Sequence, residues 1–166
     1  MATLALAATG LAVAEESMPR GCPTAGAPAQ TQSSMSRHPT ASADSPDQQA
    51  IRKTIEEYLR GHAQASAAAM RNAFLPTAHV EGNRQGKFTS WTLDDYAGLF
   101  TGAVAADEAS RVRTIDWIDV QGDAAAAKAT LVHGPTTFTD YFVLLKVNGE
   151  WRIANKVYHG GPTAGR

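Results

Sequence analysis

The chain has 166 residues, with 15 Lys and Arg against 16 Asp and Glu, and a formal net charge of −1. That length suits one folded domain, and a balanced charge without a basic patch argues against nucleic acid or an anionic membrane surface as partner. Cys22 is the single cysteine, so no internal disulfide can form.

Met1–Ala14 (MATLALAATGLAVA) is apolar and ends in Ala12-Val13-Ala14, ahead of Glu15-Glu16. The run is shorter than the ~20 residues a membrane-spanning helix needs. It reads as a secretory signal peptide without a basic start, which predicts a secreted or periplasmic protein. Residues 15–46 hold five of the eight prolines and no aromatic residue, and predict a disordered linker. Cys22 follows Pro19-Arg20-Gly21, a poor match to a lipidation signal, and reads as an inert thiol in that linker.

A folded domain is predicted over 47–161, with a flexible tail at 162–166. Asp47 is the expected cap of a first helix, whose apolar stripe runs Ile51, Ile55, Tyr58, Leu59 and His62. Ser66 caps a second helix that Pro76 terminates, with Met70 and Phe74 facing inward. Ala78–Glu81 and Lys87–Ser90 form a short hairpin around a Gly-rich turn. Thr92 caps a third helix, Leu93–Phe100, with Asp94 and Asp95 in its first turn. Arg111–Val120 reads as a strand with Ile115 and Trp117 on one face and Val112, Ile118 and Val120 on the other. Ala124–His133 is the next strand; its alanines favour helix, but the flanking turns favour a strand. Thr137–His159 then forms a long hairpin. Asn148-Gly149 is a type I′ turn pair between hydrophobic runs. Asp140, Phe142 and Leu144 share one face of its first strand; Tyr141, Val143, Leu145 and Val147 share the other. In its second strand, alternation places Trp151, Ile153, Asn155 and Val157 together.

Helices followed by consecutive antiparallel strands give an α+β fold, a curved sheet wrapped around helices. The order of elements resembles the nuclear transport factor 2-like superfamily, a cone-shaped, cystatin-like architecture with three N-terminal helices. Within it, Thr139-Asp140-Tyr141-Phe142, Leu144-Leu145-Lys146-Val147, Asn148-Gly149, Trp151-Arg152-Ile153 and Asn155-Lys156-Val157-Tyr158-His159 resemble the small bacterial SnoaL-like proteins labelled "putative lumazine-binding". The likeness covers roughly 48–160. The superfamily hosts isomerases, dehydratases, polyketide cyclases and non-catalytic binders, so the resemblance implies a fold more sharply than an activity.

The resemblance also directs attention to particular residues. Asp140 matches an Asp that points into the cone; in ketosteroid isomerases such an Asp, kept neutral by an apolar site, donates to an oxyanion. Isomerase relatives place their proton-shuttling Asp where this chain has Gly82, leaving Glu81 as the nearby carboxyl, best read as a solvated strand-end residue. Their tyrosine lies one turn before Tyr58, at Thr54, so Tyr58 reads as a core aromatic with a bonded hydroxyl. Asp140 and Glu81 are therefore the candidate catalytic groups. His133 and His159, each near a strand end, could meet in space, but no histidine pair has the spacing of a zinc site, and no metal is expected. No nucleotide, P-loop or nucleophile-elbow motif occurs, and no cofactor is expected.

The predicted pocket lies between helices and sheet. Phe74, Tyr96, Trp117 and Phe142 would form its apolar wall, and Tyr58, Asp140 and Asn155 its polar points. The preferred reading is an exported domain that binds a small apolar or aromatic molecule without catalysis, because no base stands at position 82. The alternatives are an acid–base enzyme of the isomerase, dehydratase or polyketide cyclase type, and a dimerisation or partner-binding module without ligand. Apolar side chains on both faces of the last hairpin predict a homodimer through the outer sheet face, with Tyr141 and Val143 in the interface.

Cleavage after Ala14 should leave a mature protein beginning at Glu15. Intact-mass measurement of the native protein checks this, and a cytosolic species that retains Met1 contradicts it.

Overall fold

The start of helix α1 (Pro46–Ala63) is set by a cap one step earlier than the sequence suggests. Ser45 Oγ accepts from the Gln48 amide, and the Gln48 side chain accepts from the Ser45 amide, a reciprocal capping box. Pro46 then occupies the first turn, where its missing N–H costs nothing. Asp47 is not the cap. Its Oδ1 accepts from Lys146 Nζ and Trp151 Nε1, both at 2.9 Å, and so ties the start of α1 to the final hairpin. The computed structural model describes residues 44–164. The predicted signal peptide, nearly all of the predicted linker including Cys22, and the last two residues lie outside the described residues.

Helices α2 (Ala67–Ala73) and α3 (Leu93–Gly98) are capped by Ser66 and Thr92, as expected. Between them, β1 (His79–Arg84) and β2 (Lys87–Thr92) make a tighter hairpin than predicted, turning on Gln85-Gly86 alone. Four long strands follow: β3 (Val112–Gln121), β4 (Ala124–His133), β5 (Thr136–Val147) and β6 (Glu150–Pro162). Asn148 and Gly149 both take positive φ, the geometry that a type I′ turn demands. The chain is held to the sheet up to Thr163, whose hydroxyl donates to the Gly134 carbonyl.

The fold is α+β, a six-stranded sheet in the order β2-β1-β6-β5-β4-β3, antiparallel except where β1 pairs with β6. Helix α1 packs against β6 and the edge strand β3, with β5 and β4 between them, so it spans the concavity of the sheet. Beneath it Ile51, Ile55, Tyr58, Phe142, Leu144, Leu131 and Ile153 are almost wholly buried. Among the described residues, no helix is long and apolar enough to cross a membrane.

Two β-bulges alter which residues face the core. In β3 the register slips between Ile115 and Trp117, leaving Asp116 as the extra residue. Ile115, Ile118 and Val120 therefore all pack on the core, and Trp117 turns outward with Val112. The predicted grouping of Ile115 with Trp117 fails because one inserted residue reverses parity. In β6 the slip falls between Ile153 and Asn155, with Ala154 extra. Trp151 and Ile153 face inward as expected, but beyond them Asn155, Val157 and His159 face outward, while Lys156 and Tyr158 turn into the cone.

Candidate functional site

The inward residues of the sheet form rows across its concave face. Arg84, Gly160, Phe138 and Leu131 make the row nearest the exposed end. Gly82, Tyr158, Asp140 and Ala129 make the next, and Val80, Lys156, Phe142 and Ala127 the deepest of the three. Helices α1 and α3 close the opposite wall with Tyr58, His62 and Tyr96. A cleft of about 300 Å³ lies between, mainly apolar, walled by Trp91, Phe100, Phe138 and Tyr158 and floored by Tyr58, Tyr96, Asp140 and Lys156.

The floor is a closed polar network in a desolvated setting. Asp140 is 1% exposed and Lys156 4%. Lys156 Nζ lies 3.3 Å from Asp140 Oδ2, 2.8 Å from the Tyr58 hydroxyl and 3.4 Å from that of Tyr96. Tyr58 donates to Asp140 Oδ2 at 2.5 Å. His62 Nε2 lies 2.8 Å from the Tyr58 hydroxyl and 3.1 Å from the Tyr96 hydroxyl. The ammonium also sits over the rings of Tyr58, Tyr96 and Tyr158, about 5 Å from each centroid, where the negative ring faces attract it.

Charge states follow from these surroundings. Burial pulls the Lys156 ammonium towards neutrality, but Asp140 and Tyr96 outweigh it, and its pKa is raised. Burial, reinforced by the Asp140 charge, raises the Tyr58 pKa well above the ordinary phenol value. Burial also raises that of Tyr96, against the opposing pull of Lys156. Both phenols therefore keep their protons. His62 is driven the other way: burial, then the positive charges of Lys156 and neighbouring basic groups, lower its pKa well below the usual imidazole value. It is a neutral ring with one N–H.

Counting hydrogens then assigns every donor. Tyr58 has one hydrogen and gives it to Asp140, so its oxygen accepts from Lys156 and from His62. The 2.8 Å contact to a Tyr58 oxygen that has already given its hydrogen to Asp140 favours the His62 proton on Nε2, with the lone pair on Nδ1; on Nδ1 instead, it would leave Nε2 to accept from Tyr96. The three hydrogens of Lys156 are taken by Tyr58, Asp140 and Tyr96. The lone pairs of Tyr58 are filled, so the hydroxyl of Tyr96, 3.5 Å away, has no acceptor there. The Tyr96 O–H is the donor this network leaves for a ligand.

Of the residues predicted for the pocket, Tyr58, Tyr96 and Asp140 meet at its floor. Tyr58 proves to be both a core aromatic and a member of the polar network. Phe74 and Phe142 lie beneath, edge-on to Tyr58 at 5.9 and 5.2 Å, as packing rather than as lining. Trp117 and Asn155 are on the outer face of the sheet, turned there by the two bulges, and border a separate groove. The Asn155 side chain accepts from the His79 amide and ties strand to strand. Glu81 also faces outward, with Ser90 donating to it at 3.4 Å, so it is not placed as a base. At Gly82 an added Cβ would come within 2.3 Å of the Tyr158 ring, which fills the space beside that position. His133 turns inward towards His62, their rings 5.7 Å apart, while His159 faces outward; the two predicted to cluster lie on opposite faces. Lys156 was missed because strict alternation from Trp151 puts it outside. The available signal was Asn155, a polar residue on an otherwise apolar face, which marks the parity break.

The helices, concave sheet and enclosed cleft define a nuclear transport factor 2-like protein. The family model described as "Putative lumazine-binding" matches residues 46–159, and the chain belongs to that family. A nuclear transport factor 2-like protein of unknown function from Shewanella baltica OS155 is 29% identical, with a TM-score of 0.62 over 70% of this chain and 95% of its own. Another, from Methylobacillus flagellatus KT, is 26% identical, with a TM-score of 0.62 over 72% and 96%. A protein from Cladobotryum sp. named aldolase FrzH is 24% identical over 131 residues, covering 77% of this chain and 99% of its own.

Removing one member of a buried ion pair leaves the other uncompensated, at a cost of about 3–5 kcal/mol. Lys156→Met should lose stability on that scale in urea titrations at pH 7. Lys156→Met combined with Asp140→Asn, which removes both charges, should recover part of the loss. A double variant less stable than Lys156→Met alone would show that the pair is not coupled in this way.

Proposed function

We propose that the cone binds a small, largely aromatic or alicyclic molecule through a carbonyl oxygen that accepts from Tyr96. One feature carries this reading: with His62 protonated on Nε2, Tyr96 holds an undonated hydroxyl hydrogen at the polar end of an otherwise apolar cleft. Lys156 lies beside that hydroxyl and supplies positive charge where the bound oxygen gains electron density. The family description and the cleft volume support a small-molecule ligand.

The test uses 2-acetylnaphthalene, read by quenching of Trp91 fluorescence, with 2-ethylnaphthalene as the analogue that lacks the oxygen. Tyr96→Phe should weaken the ketone about three- to tenfold, the worth of one neutral hydrogen bond, and leave the hydrocarbon unchanged. Equal ketone affinity in the two proteins would sink the assignment.

A second reading is favoured by the likeness to the Cladobotryum sp. protein named aldolase FrzH, which spans 99% of that protein. A ketone polarised by Tyr96 and Lys156 has a more acidic neighbouring carbon, and neutral His62 carries a free lone pair on Nδ1 to take the proton. Held as an ammonium, Lys156 acts as a charge rather than as an amine nucleophile. On this reading the protein catalyses deuterium uptake from D2O into the acetyl methyl group of 2-acetylnaphthalene, followed by NMR, and Lys156→Met abolishes it. No exchange above background leaves the binding reading alone.

The finer assembly reading rests on the outer sheet face. Val112, Trp117, Tyr141, Val143, Leu145, Val147 and Val157 are there, each between 40% and 53% exposed. Such a patch is large for a soluble monomer, and a second copy supplies a self-complementary cover. Light scattering should give a dimer at micromolar concentration and a monomer for Val143→Glu; a wild-type monomer contradicts the proposal.

A further inference from the structure

The exposed end of the cleft carries a cation that the floor network does not use. Arg84 is the last residue of β1, in the row nearest the opening, and its guanidinium carbon lies 5.3 Å from the centre of the Phe138 ring. Gly160 stands between the two strands and makes this approach feasible. A Cβ there would fall 2.8 Å from the Phe138 ring and 3.4 Å from Arg84 Cγ. Among the described residues, Arg84 has no carboxylate and no hydrogen-bond acceptor within reach, in contrast to Arg52, Arg60, Arg71, Arg111, Arg113 and Arg152, each paired with an acid.

The rest of the cleft has nothing to balance it. Its lining holds two cations, Arg84 and Lys156, against one carboxylate, Asp140, which is already committed to Lys156. One positive charge remains in excess, and it is at the opening. His133 lines the same cleft, with a buried Nε2 that has no partner. Burial and the charges of Arg113 and Arg111 lower its pKa to about 4, so at neutral pH it adds no charge to the cleft. The Phe138 ring meets the His133 ring edge-on at 5.7 Å.

We propose that the ligand of this cleft is an organic acid: a flat two-ring body whose carbonyl end meets Tyr96 and whose carboxylate, at the other end, is held by Arg84. The inference rests on the floor assignment above and adds the opposite end of the molecule. Rows of inward residues are about 7 Å apart along the strands, so Arg84 stands about that far above the Asp140 row, a distance a two-ring body spans. A guanidinium recognises a carboxylate by paired hydrogen bonds as well as by charge, and the apolar wall of Trp91, Phe138 and Tyr158 shields that pair better than open water does.

The probes are 6-acetyl-2-naphthoate and its methyl ester, which share the ring body and the ketone and differ in charge. Wild-type protein should bind the acid about tenfold more tightly than the ester at low salt, with the preference shrinking as salt is raised. Arg84→Met keeps an apolar stem over Phe138 and removes the charge; it should abolish the preference while leaving ester affinity unchanged. Equal affinities in the wild type, or a preference that survives in Arg84→Met, overturn the anion site. An ester that binds wild type and Tyr96→Phe alike, with the Arg84 preference intact, upholds the anion site and overturns the floor assignment. Binding of neither probe overturns both.

Discussion

The buried contact between Lys156 and Asp140 is the constraint around which the inside of the cone is arranged. Two opposite charges at the floor of an apolar cleft are costly to desolvate, and they persist only with their remaining hydrogen-bonding capacity satisfied. Tyr58 does this for both at once, donating to Asp140 while accepting from Lys156. That double role requires Tyr58 to point straight at the sheet from the buried stripe of α1. It also leaves His62 Nε2 as the natural donor to the tyrosine's remaining lone pair, the arrangement in which the hydroxyl hydrogen of Tyr96 is not taken up by the floor. Three helices and two strands thus contribute to one network, or pack directly on it, and no member can change its donor pattern without the others changing theirs.

The sheet meets this constraint through its irregularities. A bulge at Ala154 turns Lys156 inward, and a bulge at Asp116 keeps Ile115 and Ile118 both on the core while sending Trp117 outside. Bulges also bend and twist the strands that carry them, which suits a sheet that must wrap around α1. The alanines of β4 serve the same end: Ala125, Ala127 and Ala129 face inward and are buried, and their small side chains leave room for the rings of the floor. Gly82 and Gly160 act similarly on the neighbouring strands, one beside Tyr158 and the other beneath the Arg84–Phe138 contact.

The two faces of the sheet are chemically distinct in consequence. The concave face concentrates polar groups at one depth, enclosed by aromatic rings. The convex face presents apolar side chains, Tyr141 and Val143 among them, with the Lys128–Asp116 ion pair at 3.2 Å beside them. The enclosed cleft on one side and the apolar patch on the other can then vary independently, because alternate residues of the same strands supply them.

Local chemistry in the sequence determined most of the architecture. Ser66 and Thr92 capped their helices, Asn148-Gly149 made the hairpin turn, and the Ile51–Tyr58 stripe found the core, because capping, turn geometry and helical periodicity depend on residues a few positions apart. Helical periodicity and capping point Tyr58 and Tyr96 at the cone, while Asp140 is drawn there by the family resemblance. The failures of local reading share one cause. Counting in twos puts Trp117 and Asn155 on the wrong face and leaves Lys156 outside, and nearness to strand ends says nothing of the faces of His133 and His159; a bulge or a strand's true inward parity is settled by pairing with strands far away in the chain. Asp47 was taken for a helix cap for a related reason, since its partners Lys146 and Trp151 lie about a hundred residues further on. Which side chains the cone encloses, and hence the charge at its floor and its opening, was decided by tertiary pairing alone, since one inserted residue reverses every face beyond it.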